Sequence, residues 1–147
     1  MEIFPIRTAW SGSTAGRDYG RDGLARAPGK GDIALSAAAS YAGSASRWNP
    51  EELLAASLST CHMLTFLALA SKVKIDVRAY GGEAEAVLDT VDRVTRVTEV
   101  RLVPTITVAP GTDLVKAAQI FEKAHQYCFI AHSVSCGVVM APRFVEG

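Results

Sequence analysis

The residues of this chain best suited to chemistry are its thiols. Cys61 lies in the apolar stretch "NPEELLAASLSTCHMLTFLALASK", residues 49–72, and Cys128 lies in "DLVKAAQIFEKAHQYCFIAHS", with Cys136 shortly after it. Cysteine is among the most buried residue types, so each thiol taken alone reads most simply as a small core residue. Two cysteines on the apolar stripes of two helices that pack together are a different matter, because they can meet. Such a pair suits thiol–disulfide exchange, in which one thiolate becomes a sulfenic acid and the second thiol condenses with it. Cys136, beyond the second stretch, reads as structural.

A nucleophilic Cys61 needs its thiolate favoured. In the middle of a helix the dipole gives little help and burial raises the pKa, so a cation must make up the difference. Arg17 and Arg21 in a glycine-rich segment, and Arg47 just before the helix, are the candidates, with Glu51 the natural residue to orient whichever arginine serves. Glu51 precedes Cys61 by about 15 Å along a helix, too far to touch the thiol in its own chain. A metal site is the other use for these side chains. Cys61-His62, His125-x-x-Cys128 and His132-x-x-x-Cys136 offer nitrogen and sulfur ligands. Helical neighbours point about 100° apart, however, and there is no Cys-x-x-Cys, so no metal or other cofactor is expected. His62 should point away from the Cys61 side.

Composition narrows the setting. Apolar residues make up 49% of the 147 and charged ones 20%, which suits one globular domain over residues 1–147. Fifteen basic and fifteen acidic residues cancel, which argues against a nucleic-acid surface. "MEIFPIRTAWSG" lacks the basic-then-apolar order of a signal peptide. Ser57, Ser59, Thr60, His62 and Thr65 interrupt the run Leu53–Ala70, which favours a buried helix over a membrane span. Three cysteines without an export signal fit a reducing compartment, the cytoplasm.

The elements that must position the thiols follow from the patterning. "EIFPIRTAW" reads as an edge strand because of Pro5, residues 11–32 as a long glycine-rich loop, and "IALSAAAS" as a weak strand. Asn49 as N-cap, Pro50 at the first helical position and Glu51 and Glu52 in the first turn open the long central helix. Its leucines and Cys61 spread round nearly the whole circumference, which predicts a helix wrapped by protein on most sides, more than one chain of this size supplies. Residues 74–108 alternate as an antiparallel hairpin turning at "DTVDR", with a bulge expected at Gly81-Gly82 and a break or edge at Pro104. Thr112 or Asp113 caps a second helix whose buried stripe includes Cys128, and "CGVVMAPRFV" closes the chain as a strand. The class is α+β, an antiparallel sheet packed on two helices.

"NPEELLAASLSTCHM" resembles the helix start and first active-site cysteine of the OsmC/Ohr family, "KAHQYCFIAHSV" its second cysteine motif, and "WSGSTAGRDYG" its N-terminal strand and arginine-bearing loop. The resemblance implies an OsmC-like fold and an intertwined homodimer about the long central helix. It also implies a thiol-dependent peroxidase acting on organic hydroperoxides or hydrogen peroxide. In that scheme Cys61 is the peroxidatic and Cys128 the resolving cysteine, Arg17 steadies the thiolate and Glu51 orients it. An external thiol, for instance a dithiol such as a lipoyl group, restores the enzyme. The pattern departs at Phe129, where many members have proline. The competing expectation is a binding protein that uses an apolar interface pocket for a lipid-like ligand.

Overall fold

The computed structural model describes residues 1–147, which gather into two compact units, Met1–Leu53 and Leu54–Gly147. In the first unit, β1 (Arg7–Ala9), β2 (Gly23–Arg26) and β3 (Ile33–Leu35) form an antiparallel sheet in that order. β1 begins only after Pro5 and lies at the sheet edge, where a residue lacking an amide does least harm. The loop expected over residues 11–32 is interrupted by β2, whose short "GLAR" run is too brief to signal itself. The true β1–β2 connection closes on itself: the Trp10 indole donates to the Gly20 carbonyl at 2.8 Å and packs edge-on against Tyr19.

α1 (Pro50–Lys72) starts as its sequence dictates. The Asn49 Oδ1 accepts from the Glu52 amide at 2.8 Å, and the Glu52 carboxylate accepts from the Asn49 amide at 3.1 Å, a reciprocal capping box. By length and hydropathy α1 would suffice to cross a membrane, yet Ala55, Leu58, His62, Phe66 and Ala70 form a buried stripe within the second unit. The encirclement expected of this helix is therefore only partial in one chain. Leu64 on the far side remains 57% exposed, because a single further helix is all the chain has to cover it.

β4 (Val77–Val91) and β5 (Val94–Val108) are the expected hairpin. Asp92 and Arg93 both take positive φ, the two-residue turn whose twist matches that of the strands. The register shifts fall at Val77/Ala79 and Val87/Leu88 rather than at Gly81-Gly82. The first shift flips the facing, so Tyr80 points inward in place of Ala79. Gly82 serves another purpose. It lies opposite Pro104 with φ +147°, and a Cβ there would strike the Val103 carbonyl oxygen and come within 2.6 Å of the Pro104 Cα.

Pro104 is not on an edge strand. β5 is central, with β4 on one side and two short strands on the other: β6 (Gly137–Met140) pairs residues 99–102, and β7 (Arg143–Glu146) pairs residues 105–108. Pro104 occupies the interval between them, a local break in the pairing. The expected single C-terminal strand is thus two, divided at Ala141-Pro142. Both run parallel to β5, so this sheet is mixed, while the α+β class with two helices holds. The parallel return is made possible by α2 (Leu114–Tyr127), the crossover between β5 and β6. Asp113 caps it by accepting from the Lys116 amide at 3.0 Å.

Val100, Leu102, Ile106 and Val108 alternate inward along β5 and meet both helices in two adjoining clusters. One holds Phe66, Ala70, Ile106, Val108 and Phe121. The other holds Ala55, Leu58, Val100, Leu102 and Cys128. Phe66 and Phe121, fully buried, contribute roughly 1.5–3 kcal/mol each by removal from water. Gly82→Ala should lower stability by about 2 kcal/mol or more, read as the urea midpoint, since it adds both a positive-φ penalty and a backbone clash. An unchanged midpoint would show that β4 can move off Pro104.

Candidate active site

α2 ends well before the sequence suggests: the helix expected to run on to Ser133, with Cys128 on its buried stripe, stops just short of Cys128. Tyr127 is its last residue, and Cys128 has extended backbone angles (φ −73°, ψ 113°) with its side chain fully buried. The amides of Phe129 and Ile130 are thereby freed from the helical ladder. The turn that follows is tied down by His132, whose Nε2 donates to the Gln126 carbonyl at 2.7 Å, and by Ser133, whose hydroxyl donates to the Phe129 carbonyl at 2.9 Å.

This turn faces Cys61. Burial pushes the Cys61 thiol up, but the Ile130 amide, the Cys128 thiol, the Phe129 amide and the Thr65 hydroxyl, all within reach of its sulfur, outweigh burial and hold it below the ordinary thiol value. Cys128 is moved the other way. Burial raises it, the Ala131 amide opposes, and the adjacent Cys61 raises it further. The two sulfurs are hydrogen-bonding neighbours, both reduced, and carry opposite biases: one poised to ionise, the other to stay protonated. The backbone donors at residues 129 and 130 were not legible from the sequence, which pointed to a cation as the thiolate's only support. Cys136 packs at the edge of the same cluster as Cys128.

Cys61 is half-buried and opens onto a groove of about 620 Å³, whose wall includes Leu64, Thr65, Lys72, Lys123 and Tyr127. His62 indeed points elsewhere, but it is no ordinary surface histidine. It belongs to the buried stripe, its ring 4.5 Å from that of Phe121 and 6.3 Å from that of His125, and neither of its nitrogens has a hydrogen-bond partner. Burial first, and His125 second, bring its pKa down to about 4. No three His, Cys, Asp or Glu side chains gather where a metal ion could be held.

The arginines belong to the first unit and differ in their engagements. Arg47 is committed: its guanidinium pairs with Asp22 at 3.2 Å and donates to the Gly23 carbonyl at 3.1 Å. Asp22 also accepts from the Ser44 hydroxyl at 2.6 Å. Arg21 lies over the Tyr19 ring, 4.2 Å from its centre, and donates to the Tyr19 carbonyl. Arg17 is exposed and has no ion pair or side-chain hydrogen bond. Glu51 sits half-buried in the first turn of α1.

Together, the hairpin, the two helices and the facing thiols define an α+β protein organised about two cysteines, one within α1 and one just past the end of α2. The chain belongs to the OsmC-like protein family, whose model matches residues 43–142. It is similar to an OsmC-like protein of unknown function from Vibrio cholerae O1 biovar eltor, at 28% identity over 97% of this chain and 99% of that one, with a TM-score of 0.89. It shares its fold with an organic hydroperoxide resistance protein from Elizabethkingia anophelis (20% identity, 99% of each chain, TM-score 0.70). The organic hydroperoxide resistance protein of Bacillus subtilis has the same fold (18%, 97% and 98%, TM-score 0.64). No curated protein matches the chain.

The buried imidazole gives the second unit a defined acid sensitivity. With a native pKa of about 4 against 6.5 for the free side chain, the unfolded chain takes up the His62 proton first as pH falls. Stability is therefore undiminished above pH 6.5 and declines toward pH 4, by up to about 3 kcal/mol. Urea unfolding across that range checks this, and His62→Leu should flatten the slope. A slope unchanged in the variant would assign the effect to other groups.

Proposed function

We propose that this protein is a thiol-dependent peroxidase that reduces organic hydroperoxides or hydrogen peroxide. The observation that carries the reading is the contact between a thiol biased toward ionisation, Cys61, and a buried, protonated neighbour, Cys128. The Cys61 thiolate attacks the terminal peroxide oxygen. A sulfur–oxygen bond forms, the O–O bond breaks, and the alkoxide leaves to take a proton and become the alcohol. Cys128 then attacks the sulfenic sulfur, the hydroxyl departs with the thiol proton as water, and a disulfide remains. An external thiol, for which a dithiol such as a lipoyl group is suited, reduces it. The groove at Cys61 is mostly apolar and large enough for an alkyl hydroperoxide.

Arg17 steadies the negative charge that develops on the leaving oxygen, with Glu51 orienting it. Its availability supports this choice, since Arg47 and Arg21 are already engaged. The working form is an intertwined homodimer in which a second copy covers the open face of α1, where Leu64 is exposed. The reaction suits the cytoplasm, where reduced thiols are maintained.

One equivalent of peroxide should convert Cys61 and Cys128 into a disulfide while Cys136 stays free, as read by peptide mapping. Cys61→Ser should abolish turnover, and Arg17→Ala should slow it about a hundredfold, roughly 3 kcal/mol in the barrier. If the wild type consumes no peroxide with either a monothiol or a dithiol reductant, the ligand-binding reading takes its place. Sedimentation should find a dimer at micromolar concentration, and a folded monomer would exclude the shared assembly.

A further inference from the structure

Thr65 lies one helical turn beyond Cys61, half-buried, and lines the same groove. Its hydroxyl donates to the Cys61 carbonyl at 2.8 Å, the usual resting place for a mid-helix threonine. Two features set it apart. Its acceptor belongs to the nucleophile's own residue, and the same hydroxyl also lies within reach of the Cys61 sulfur. A hydroxyl has one proton and cannot serve both acceptors at once. A bond to an ionised acceptor is roughly twice as strong as one between neutral groups, so ionisation of the sulfur decides the competition.

We propose that Thr65 is a catalytic residue of this site, a switchable donor that bonds the Cys61 carbonyl while the sulfur is protonated and turns to the sulfur when the thiolate forms. The switch needs only rotation about one side-chain bond. The carbonyl it leaves is still bonded within the helix, so the exchange strands no buried acceptor. No proton is transferred: the hydroxyl keeps its hydrogen throughout, and the electron pair that attacks the peroxide comes from sulfur. As the sulfur–oxygen bond forms and the sulfur loses its charge, the hydroxyl is released toward the groove, where the departing alkoxide carries the charge instead. The Ile130 and Phe129 amides are fixed in the backbone and the Cys128 thiol is fully buried, so Thr65, which lines the groove, is the donor of this group that can follow the charge.

The assignment rests on the peroxidase reading, but one arm of its test does not need peroxide. Cys61 alkylation by iodoacetamide, followed by peptide mass spectrometry across pH, gives the thiol titration of the intact protein. Peroxide consumption gives the rate. Thr65→Val keeps the shape and removes the hydroxyl, and it should raise the Cys61 titration by about one pH unit and slow the peroxide reaction about tenfold at neutral pH. Thr65→Ser should recover most of both, and thermal melting checks that each variant is folded. The proposal is overturned if Thr65→Val titrates as wild type, whatever its rate. It is equally overturned if Thr65→Ser is as impaired as Thr65→Val, since packing of the methyl group would then be the cause. A wild type that titrates low yet consumes no peroxide sinks the peroxidase reading, and the alkylation arm still decides whether Thr65 holds the thiolate.

Discussion

A thiol in the middle of an apolar helix is in a poor place to ionise: the helix dipole is spent at the ends, and burial opposes charge. The structure answers this with backbone. α2 stops at Tyr127, and the extended conformation of Cys128 turns the Phe129 and Ile130 amides toward the Cys61 sulfur. Every larger feature of the second unit serves that juxtaposition. The buried stripe of α1 fixes its rotation, which leaves Cys61 at the groove edge rather than in the core. β5 supports both helices through Val100, Leu102, Ile106 and Val108, and the crossover to β6 requires α2 to return across α1.

The same arrangement makes the thiol pair asymmetric. Cys61 has donors and access to the groove, whereas Cys128 is sealed and its proton is favoured by the charge on its neighbour. In the proposed cycle that asymmetry sets the order of events. The accessible sulfur is oxidised first, and the sealed one keeps its proton until the leaving hydroxyl needs it. A symmetrical pair would present two competing nucleophiles to peroxide. The His62 and His125 rings lie elsewhere on the helix–helix contact, and burial keeps His62 uncharged near neutral pH.

Much of this was legible in the residue pattern because it is local. Asn49, Glu52 and Asp113 each cap a helix through atoms three residues away, and the alternation of β5 reports its buried face directly. The central helix and the apolar setting of the two cysteines were legible for the same reason. What escaped depends on tertiary pairing. β6 and β7 lie parallel to β5 because of where α2 carries the chain, and the register shift at Val77/Ala79 swaps Tyr80 for Ala79 without any glycine to announce it. His62 looked polar, yet its place on the Leu58–Phe66 stripe put it in the core. The break at Cys128 has no Gly or Pro to mark it, so the backbone donors it frees could not be anticipated.

These donors change what an arginine is needed for. The turn after α2 and Thr65 hold Cys61 below the ordinary thiol value, so a cation would add to a bias the second unit already supplies. What the backbone cannot do is follow the charge after attack, when the sulfur has become neutral and an alkoxide is departing into the groove. In the proposed cycle fixed amides aimed at sulfur lose their partner at that moment, and the role proposed for Arg17, to meet the leaving oxygen, begins there. Arg47, held by Asp22 and the Gly23 carbonyl, would have to break two contacts to do the same. On this view the proposed roles separate by timing: the backbone amides act before attack, Thr65 passes from sulfur to groove as the charge moves, and the arginine acts on the departing oxygen. Loss of Arg17 then acts mainly on the rate and little on the thiol titration, the reverse of the balance expected for a cation that merely pairs with the resting thiolate.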